Sequence, residues 1–247
     1  MPENRQMRDY NHFLFYSEQI NEHHLLLDHS ETHHAVNVLR LKAGDQFKAT
    51  DGKGNIFTCV AESITNNILT GIIKKKKLFC RICPIHIIIG ITCKESFEKI
   101  VLDCTALGIN RITPAITEHS QKNWWQNSWK KQRCRFHTKM ITAIKQSLFP
   151  FIPVLDSPIN LDHIVLNETQ TVFVADPNGS PLQLIPKEQK HDNITCIIGP
   201  PGGFSENEID IFKEKQFKLI KIGPNRLRTE LATVVLCAQI IGKYLNY

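Results

Sequence analysis

Two glycine- and proline-rich segments in the last third of the sequence have the composition of loops that bind a ligand through their backbone. Residues 199–203 read GPPGG, and residues 223–230 read GPNRLRTE. Glycine lets backbone N–H and C=O groups approach a ligand closely, and proline keeps the loop stiff, so such a loop can hydrogen-bond an adenine edge. Neither segment contains the phosphate-binding G-x-x-x-x-G-K-[ST] pattern or the dinucleotide G-x-G-x-x-G pattern. Two ordinary strand-to-helix turns remain an alternative interpretation, because glycine is common in turns.

The second segment also carries charged side chains that could take part in a reaction. Arg226 and Arg228 are its only cations, and guanidinium groups beside a bound ligand are candidates for binding phosphate or carbonyl oxygens. Glu230 is a candidate proton acceptor, or the residue that orients Arg228. Helix capping is the structural alternative, since Thr229 and Glu230 would suit the first turn of the apolar helix that follows.

Positive charge is concentrated in the middle of the chain. The net charge is +6, and residues 120–145 hold seven basic side chains, no acidic one and all three tryptophans. Cations neutralise phosphates and aromatic rings stack on unpaired bases, so this mixture favours contact with a folded RNA. The candidate RNA-binding residues here are Lys130, Lys131, Arg133 and Arg135. A helix with one packed face and one solvated basic face fits the same residues, because apolar side chains recur every four positions from Phe136 to Leu148.

Histidine and cysteine patterns favour no metal site. Five histidines lie between positions 23 and 34, without acidic or cysteine partners at ligand spacing, and contact of His34 and Arg40 with RNA is the preferred interpretation. Cys80 and Cys83 form one closely spaced pair, whereas a structural zinc site needs four ligands. The eight cysteines are spread along the chain and several lie in apolar runs, which is typical of reduced, buried thiols.

Nothing in the sequence resembles a membrane or export segment. The longest aliphatic run, residues 85–91, is far shorter than the roughly 20 apolar residues of a spanning helix. The amino terminus lacks the apolar stretch of a secretory signal. We therefore expect a cytoplasmic protein.

The first 75 residues have the pattern of an all-β domain. Short apolar segments at 13–16, 46–50, 56–60 and 68–73 are separated by turn signals, with Asp51 to Gly54 typical of a hairpin turn. A helix is predicted over residues 33–41. The four lysines from Lys74 to Lys77 break the pattern and are interpreted as a surface linker between domains.

The remainder of the chain, from residue 80 to 247, alternates strands with helices. Strands are predicted at 85–89, 111–116, 171–175, 195–198 and 219–222, and a helix ends near Leu107, with Gly108 as its terminator. Ser205 and Glu208 have the spacing of a capping box. This alternation predicts an α/β domain with a mostly parallel sheet, and ligands of such sheets bind outside the carboxyl ends of the strands, where both glycine-rich segments lie.

Several blocks of the sequence, in the same order, resemble the RsmE family, the 16S ribosomal RNA (uracil-N3)-methyltransferases of the SPOUT class. Near the amino terminus these are HFLFY at 12–16, residues 33–45 and DGKG at 51–54. The interior blocks are LGINRITP at 107–114 and AIKQS at 143–147. The two glycine-rich segments, extended to 198–208 and 223–230, are similar to the cofactor loops of the family.

The resemblance implies a fold, a cofactor and a substrate. The fold is a PUA-like β-barrel, expected at residues 1–75, followed by a SPOUT α/β domain at 80–247 with a trefoil knot near its carboxyl end. The implied activity is S-adenosylmethionine-dependent methylation of uridine N3 in 16S rRNA of the small ribosomal subunit, by a homodimer. Carried onto this chain, the cofactor-binding residues are Ile198, Gly199, Pro200, Gly202, Gly203, Ile222, Gly223, Leu227 and Thr229.

A few positions depart from the family pattern. Pro201 stands where glutamate is usual and Leu231 where threonine is usual, and Asp103, Ala106 and Phe149 also differ. Two alternatives therefore stay open: a non-catalytic RNA-binding protein, or a SPOUT methyltransferase that acts on another RNA or on a ribose hydroxyl, since one fold hosts several substrates.

Overall fold

The chain divides into two compact units. The computed structural model describes residues 9–80, 83–121, 124–166, 170–186 and 193–245. One unit comprises Met1–Cys80 and Ile141–Ile152, and the other comprises Arg81–Met140 and Pro153–Tyr247. The sequence predicts domains at 1–75 and 80–247; residues 141–152, which that prediction places in the second domain, cluster with the first unit.

A mixed sheet forms the first unit. Its strands are β1 (Asp9–Tyr16), β2 (Gln19–Ile20), β3 (His24–Leu27), β4 (Gln46–Thr50), β5 (Asn55–Thr65) and β6 (Ile68–Leu78). They follow the order β1-β4-β5-β6-β3-β2 in the described residues, with β1 parallel to β4 and the other neighbours antiparallel. One face buries an apolar core that includes Phe15, Leu25, Leu27, Phe47 and Leu69.

The helical segment of this unit begins earlier than the predicted start at residue 33. Helix α1 (His29–His33) continues into a π-helical turn, His34–Val38. Asp28 caps α1, because its carboxylate accepts the Glu31 backbone N–H at 2.8 Å. A capping aspartate satisfies one of the free amides of the first turn and so sets the start of the helix.

The linker prediction at Lys74–Lys77 is wrong. These lysines continue β6, and their backbone pairs with β5, Lys75 opposite Thr58 and Lys76 opposite Phe57. The Lys77 ammonium lies 4.4 Å from the centre of the Phe79 ring. Hydrogen bonds between strands are made by the backbone alone, so the exposed end of a strand can carry charged side chains. A sequence pattern that depends on alternating apolar residues therefore misses this end of β6.

In the second unit, the described strands form one parallel sheet. They are β7 (Ile85–Gly90), β8 (Arg111–Ile116), β9 (Val154–Leu155), β10 (Ile159–Asn160), β11 (Thr171–Pro181), β12 (Ile194–Ile198) and β13 (Lys218–Lys221). The order is β10-β8-β7-β12-β11-β13, and β9 also pairs with β8. The helices are α2 (Lys94–Ala106), α3 (Trp129–Ser147, which begins in this unit), α4 (Glu206–Glu214) and α5 (Thr229–Tyr244). The predicted parallel sheet is confirmed.

The central position of β7 explains its composition. Ile85, Ile87, Ile88 and Ile89 are fully buried, because β8 and β12 flank the strand and both faces of the sheet are covered. Since the strands are parallel, the segments that follow β7, β8, β12 and β13 all lie at the carboxyl edge of the sheet.

Local signals set the helix ends as predicted. Gly108 follows α2 with φ of +76°, a conformation that glycine adopts without strain. Ser205 and Glu208 form a complete capping box at the start of α4. Among the described residues, no helix has the length and apolar character needed to span a bilayer.

Candidate functional site

A cavity of about 560 Å³ lies at the carboxyl edge of the parallel sheet, and both glycine-rich segments line it. Eight of the nine residues predicted to bind a cofactor are in its wall: Ile198, Gly199, Pro200, Gly203, Ile222, Gly223, Leu227 and Thr229. Gly202 is the exception, and a Cβ atom there would lie 2.8 Å from Cβ of His119. The two segments thus form one cavity, as the sequence predicts.

Hydrogen bonds to main-chain carbonyls hold the two segments together. The buried Thr229 hydroxyl donates to the Gly199 carbonyl at 3.2 Å, and the Arg226 guanidinium donates to the Pro201 carbonyl at 2.7 Å. The cavity shape therefore depends on side chains of the second segment that reach the backbone of the first.

Close backbone packing fixes the first segment against the central strand. A Cβ atom on Gly90, the last residue of β7, would lie 2.4 Å from Cδ and 2.6 Å from the backbone N of Pro200. Gly203 has φ of +79°, which other residues adopt only with strain. Gly90 is therefore required by close contact and Gly203 by its backbone conformation, which are more specific reasons than the general frequency of glycine in turns.

Both candidate catalytic residues line the cavity. Arg228 is exposed and occupies the N-cap position of α5, where its side chain makes no capping hydrogen bond, and Glu230 is half-buried in the first turn. Capping does not account for Thr229, whose hydroxyl is used on Gly199. Among the described residues, no hydrogen bond or ion pair joins Glu230 to Arg228, so Glu230 does not orient that arginine by direct contact.

The candidate RNA-binding residues of the second unit differ in availability. Lys130, Lys131 and Arg133 are exposed on α3. Arg135 is held by Glu98, with 2.6 Å between the guanidinium Nε and the carboxylate. Arg226 already uses part of its guanidinium in the hydrogen bond to the Pro201 carbonyl. Fewer of the candidate side chains are therefore available to RNA than the sequence indicates.

In the first unit, His34 begins the π-helical turn after α1, and Arg40 lies shortly after that turn ends. The His34 ring is half-buried, with its centre 6.4 Å from that of Phe13 and 6.2 Å from that of Phe15. Arg40 is exposed and has φ of +57°. Lys145, in the part of α3 that belongs to this unit, pairs with the buried Glu31 carboxylate.

Stacking of RNA bases on the tryptophans is not supported for two of the three. The rings of Trp124 and Trp129 pack against Phe97 and Phe136, with centres 5.8 to 6.3 Å apart. The Trp124 indole N–H also donates to the Thr92 carbonyl at 2.8 Å. The ring cluster joins α3 and the residues just before it to α2, and the hydrogen bond to Thr92 joins them to the segment between β7 and α2.

Comparison with known proteins identifies the family. Residues 80–241 match the model of an RNA methyltransferase domain, and residues 27–74 match that of an RNA methyltransferase PUA domain. A Buchnera aphidicola (subsp. Schizaphis graminum) protein named ribosomal RNA small subunit methyltransferase E is 29% identical over 244 residues, which cover 94% of this chain and 95% of that protein. The chain belongs to the RsmE family.

Other RsmE proteins and solved structures agree along almost the whole chain. A Synechocystis protein of the same name is 27% identical over 232 residues, covering 90% of this chain and 74% of its own. The structure of a Neisseria gonorrhoeae protein of that name, bound to S-adenosylmethionine, superimposes with a TM-score of 0.81 at 22% identity, covering 94% and 98% of the two chains. A Legionella pneumophila methyltransferase structure gives 0.82 at 24% identity, covering 95% and 98%. The predicted fold class, a PUA-like domain with a SPOUT-type α/β domain, is confirmed; the trefoil knot stays a prediction.

Sequence reasoning missed part of the cavity wall of this RsmE protein. Thr92, Cys93 and Ser96 contribute from the end of β7 and the start of α2, Gln121 from the segment after β8, and residues 175–177 from β11. Asp176 is fixed there, since its carboxylate accepts the Asn178 backbone N–H at 2.7 Å. The signal that could have found most of them is their position shortly after β7 and β8, which becomes useful only with the strand order; residues 175–177 lie within β11.

Metal ligands do not come together in the described part of this RsmE protein. No group of three His, Cys, Asp or Glu side chains there could hold an ion. Of the closely spaced cysteine pair, Cys80 is exposed and Cys83 is buried, and residues 81–82 between them lie outside the described residues. Cys59, Cys104, Cys196 and Cys237 are also buried, and burial raises the pKa of the Cys59 thiol to about 12.

Proposed function

We propose that this RsmE protein methylates N3 of a uridine in the 16S ribosomal RNA of the small ribosomal subunit, with S-adenosylmethionine as methyl donor. The observation that carries the proposal is the single cavity formed by the two glycine-rich segments, in a chain of an RNA methyltransferase family. The Buchnera and Synechocystis relatives are named for the small-subunit reaction, and the Neisseria structure contains this cofactor. Uridine N3 is the finer part of the proposal and rests on the resemblance to the family.

The residues present fit this cofactor. A volume of about 560 Å³ lies within the range of small-ligand sites, and the backbone of residues 199–203 and 222–223 offers polar groups to an adenine edge. Thr92 in the same wall has a buried hydroxyl with no hydrogen-bond partner in the described part of the chain. When bound, the cofactor supplies an activated sulfonium methyl group, so no covalent enzyme intermediate is needed.

The chain then has two tasks, which are to orient the uracil and to accept its N3 proton. The Arg228 guanidinium binds the uracil carbonyl oxygens and stabilises the negative charge that develops on the base. Glu230, one position beyond Thr229 in the same cavity wall, accepts the proton. Thr229 and Arg226 keep the loops in place, so that the reactants meet in the required geometry.

Side chains of both units hold the substrate RNA. Lys130, Lys131 and Arg133 of α3 bind phosphates, and His34 with Arg40 provides a second contact in the PUA domain. The protein acts as a homodimer, as the resemblance to the family implies, and analytical ultracentrifugation of the purified chain measures that state directly.

The decisive experiment is mass-spectrometric mapping of methylated nucleotides in 16S rRNA from cells with and without this gene. The expected result is one uridine that loses a base methyl group without the gene and regains it when purified protein and S-adenosylmethionine are added. RNA binding without cofactor binding, measured by calorimetry, would instead favour the non-catalytic alternative. A methyl group on ribose or on another RNA would favour the second alternative.

The roles of the two candidate catalytic residues have their own test. Arg228→Ala and Glu230→Ala should each lower the methyl-transfer rate by about 100-fold or more, the usual contribution of a general base or of an electrostatic contact to the developing charge. Both variants should bind S-adenosylhomocysteine nearly as well as the wild type. A folded variant with full activity would remove that residue from the mechanism.

A further inference from the structure

The start of α2 forms part of the cavity wall and has free backbone donors. Thr92, Cys93 and Ser96 line the cavity. The helix has 13 residues, and its N-cap, Cys93, is extended and makes no side-chain capping hydrogen bond. The first-turn N–H groups of a helix have no partner within the helix, so here they are available to a ligand.

Thr92 provides a second, independent observation at the same place. Its side chain is fully buried, and its Oγ1 has no hydrogen-bond partner among the described residues. Its carbonyl is already used, because it accepts the Trp124 indole N–H. A buried hydroxyl without a partner is costly and rare in folded proteins, and one that lines a cavity is satisfied when a ligand supplies the acceptor.

The cavity wall holds charges of both signs, with Asp176 and Glu230 against Lys221, Arg226 and Arg228. The first turn of α2 also carries Glu95, so the case for an anion at this corner rests on the backbone amides and hydroxyls. The amino end of a helix carries a partial positive charge, and its N–H groups point outward at the ligand. The Cys93 thiol donates to the Ser96 oxygen at 3.2 Å, which leaves the Ser96 hydroxyl proton free to donate. Thr92 and Ser96 thus add two hydroxyl donors to the backbone amides.

We propose that residues 92–96 bind an oxyanion of the ligands that meet in this cavity. The oxyanion is either the carboxylate of the methionine end of S-adenosylmethionine or a phosphate of the substrate RNA. This inference rests on the proposed function and assigns a role to a wall of the same cavity that the glycine-rich segments do not form. The cofactor carries its one carboxylate at the end remote from adenine, which suits a donor set separate from those segments.

The first arm of the test measures binding of two cofactor analogues by calorimetry. S-Adenosylhomocysteine has the carboxylate, whereas methylthioadenosine lacks the whole amino-acid end. Thr92→Val should weaken the binding of S-adenosylhomocysteine about 10- to 100-fold, which corresponds to the loss of one hydrogen bond to a charged group. The affinity for methylthioadenosine should not change. Thr92→Ser keeps the hydroxyl and should bind both like the wild type. The ligand-free Thr92→Val protein should melt at a higher temperature, because it no longer buries an unpaired hydroxyl.

The second arm measures binding of small ribosomal subunits by the same variants. If the oxyanion is a phosphate, Thr92→Val weakens subunit binding and leaves both analogues unaffected. Unchanged binding in both arms, or equal loss of the two analogues, overturns the inference while the wild type still binds S-adenosylhomocysteine. A wild type that binds neither analogue nor subunits overturns the proposed function, and the inference with it.

Discussion

At the scale of single residues, the cavity depends on hydrogen bonds between side chains and main-chain carbonyls. Thr229→Val removes the donor to the Gly199 carbonyl without changing the side-chain volume appreciably. We expect a loss of stability of about 1 kcal/mol and a roughly 5- to 10-fold weaker binding of S-adenosylhomocysteine, because the first glycine-rich segment loses its fixed position. Urea unfolding and calorimetry measure the two effects.

Thr233→Val is the matched control for this variant. Thr233 is also buried in α5 and donates to the Thr229 carbonyl at 2.8 Å, but it is not among the residues that line the cavity. Its replacement should affect stability alone. Equal losses of affinity in the two variants would show that the hydroxyl of Thr229 has no particular part in shaping the cavity.

Cys93 reports on the same cavity by its accessibility. It is half-buried and lines the cavity, whereas Cys134 is exposed on α3. We expect S-adenosylhomocysteine to slow alkylation of Cys93 by iodoacetamide at least several-fold, because the ligand covers the thiol. Cys134 should react at the same rate with and without the ligand, as followed by mass spectrometry. Equal rates for Cys93 would place the ligand elsewhere.

At the scale of elements, α3 presents exposed basic side chains, as the sequence predicts, although Arg135 is held in an ion pair with Glu98. Replacing Lys130, Lys131 and Arg133 together by alanine should lower the slope of log K against log salt concentration for RNA binding by about 2 to 3, since each neutralised phosphate contributes about 0.7 to 0.9. Cofactor affinity should not change. Filter binding at several salt concentrations measures the slope.

A triple variant in another part of the same unit controls for net charge. Lys213, Lys215 and Lys218, in and after α4, remove the same charge when replaced by alanine. Their loss should leave the salt dependence nearly unchanged. An equal effect of the two triple variants would indicate that RNA responds to overall charge and that α3 is no specific contact.

Sequence patterns predicted the elements better than the contacts between them. The β-branched run of β7 and the capping box of α4 depend on neighbouring residues, so they could be read from the chain. The packing of Trp124 on Phe97, by contrast, joins separate elements, and a local pattern presented that tryptophan as a free ring. The lysines of β6 were misjudged for the same reason, because their pairing partners lie on β5.

The cavity shows the same limit. Its glycine-rich half could be predicted, since composition alone marks residues 199–203 and 223–230. Thr92 and Asp176 could not, because both are ordinary residues, one just after β7 and one within β11, and they become part of the wall only through the strand order. Composition and periodicity likewise contain no information about a knot.

At the scale of the whole molecule, a half-buried histidine makes stability depend on pH. His86 on β7 lies 2.7 Å from the Thr113 hydroxyl, and that hydroxyl donates to Asp156, which Arg111 also binds at 2.7 Å. Burial, assisted by Arg111, lowers the pKa of His86 to about 4 from its ordinary value of 6.5. Asp156 keeps a pKa below its usual range: burial raises it, but hydrogen bonds from Arg111 and Thr113 outweigh that effect.

The sign of the pH effect follows from these values. Between pH 6.5 and 4 the unfolded chain binds a proton at His86 that the folded chain does not, so stability is complete above 6.5 and falls as the pH decreases toward 4. The loss attributable to His86 is up to about 3 kcal/mol. His86→Gln should remove this part of the pH dependence in urea unfolding at pH 4 to 7. A variant with the slope of the wild type would contradict the assignment.

The order of the strands in the parallel sheet has a consequence for the folding of the chain while it is synthesised on the ribosome. The central strand β7 ends at Gly90, and its neighbour β12 begins only at Ile194. At the usual pace of translation, the roughly 100 residues between them take about 5 to 20 s to make. Throughout that interval the nascent chain carries an aliphatic strand with one edge open, which is the surface that other unfinished chains can join. Because β8 pairs with the other edge of β7, it cannot cover the edge left for β12, and a protein proposed to modify ribosomes would itself need a chaperone while a ribosome is still making it.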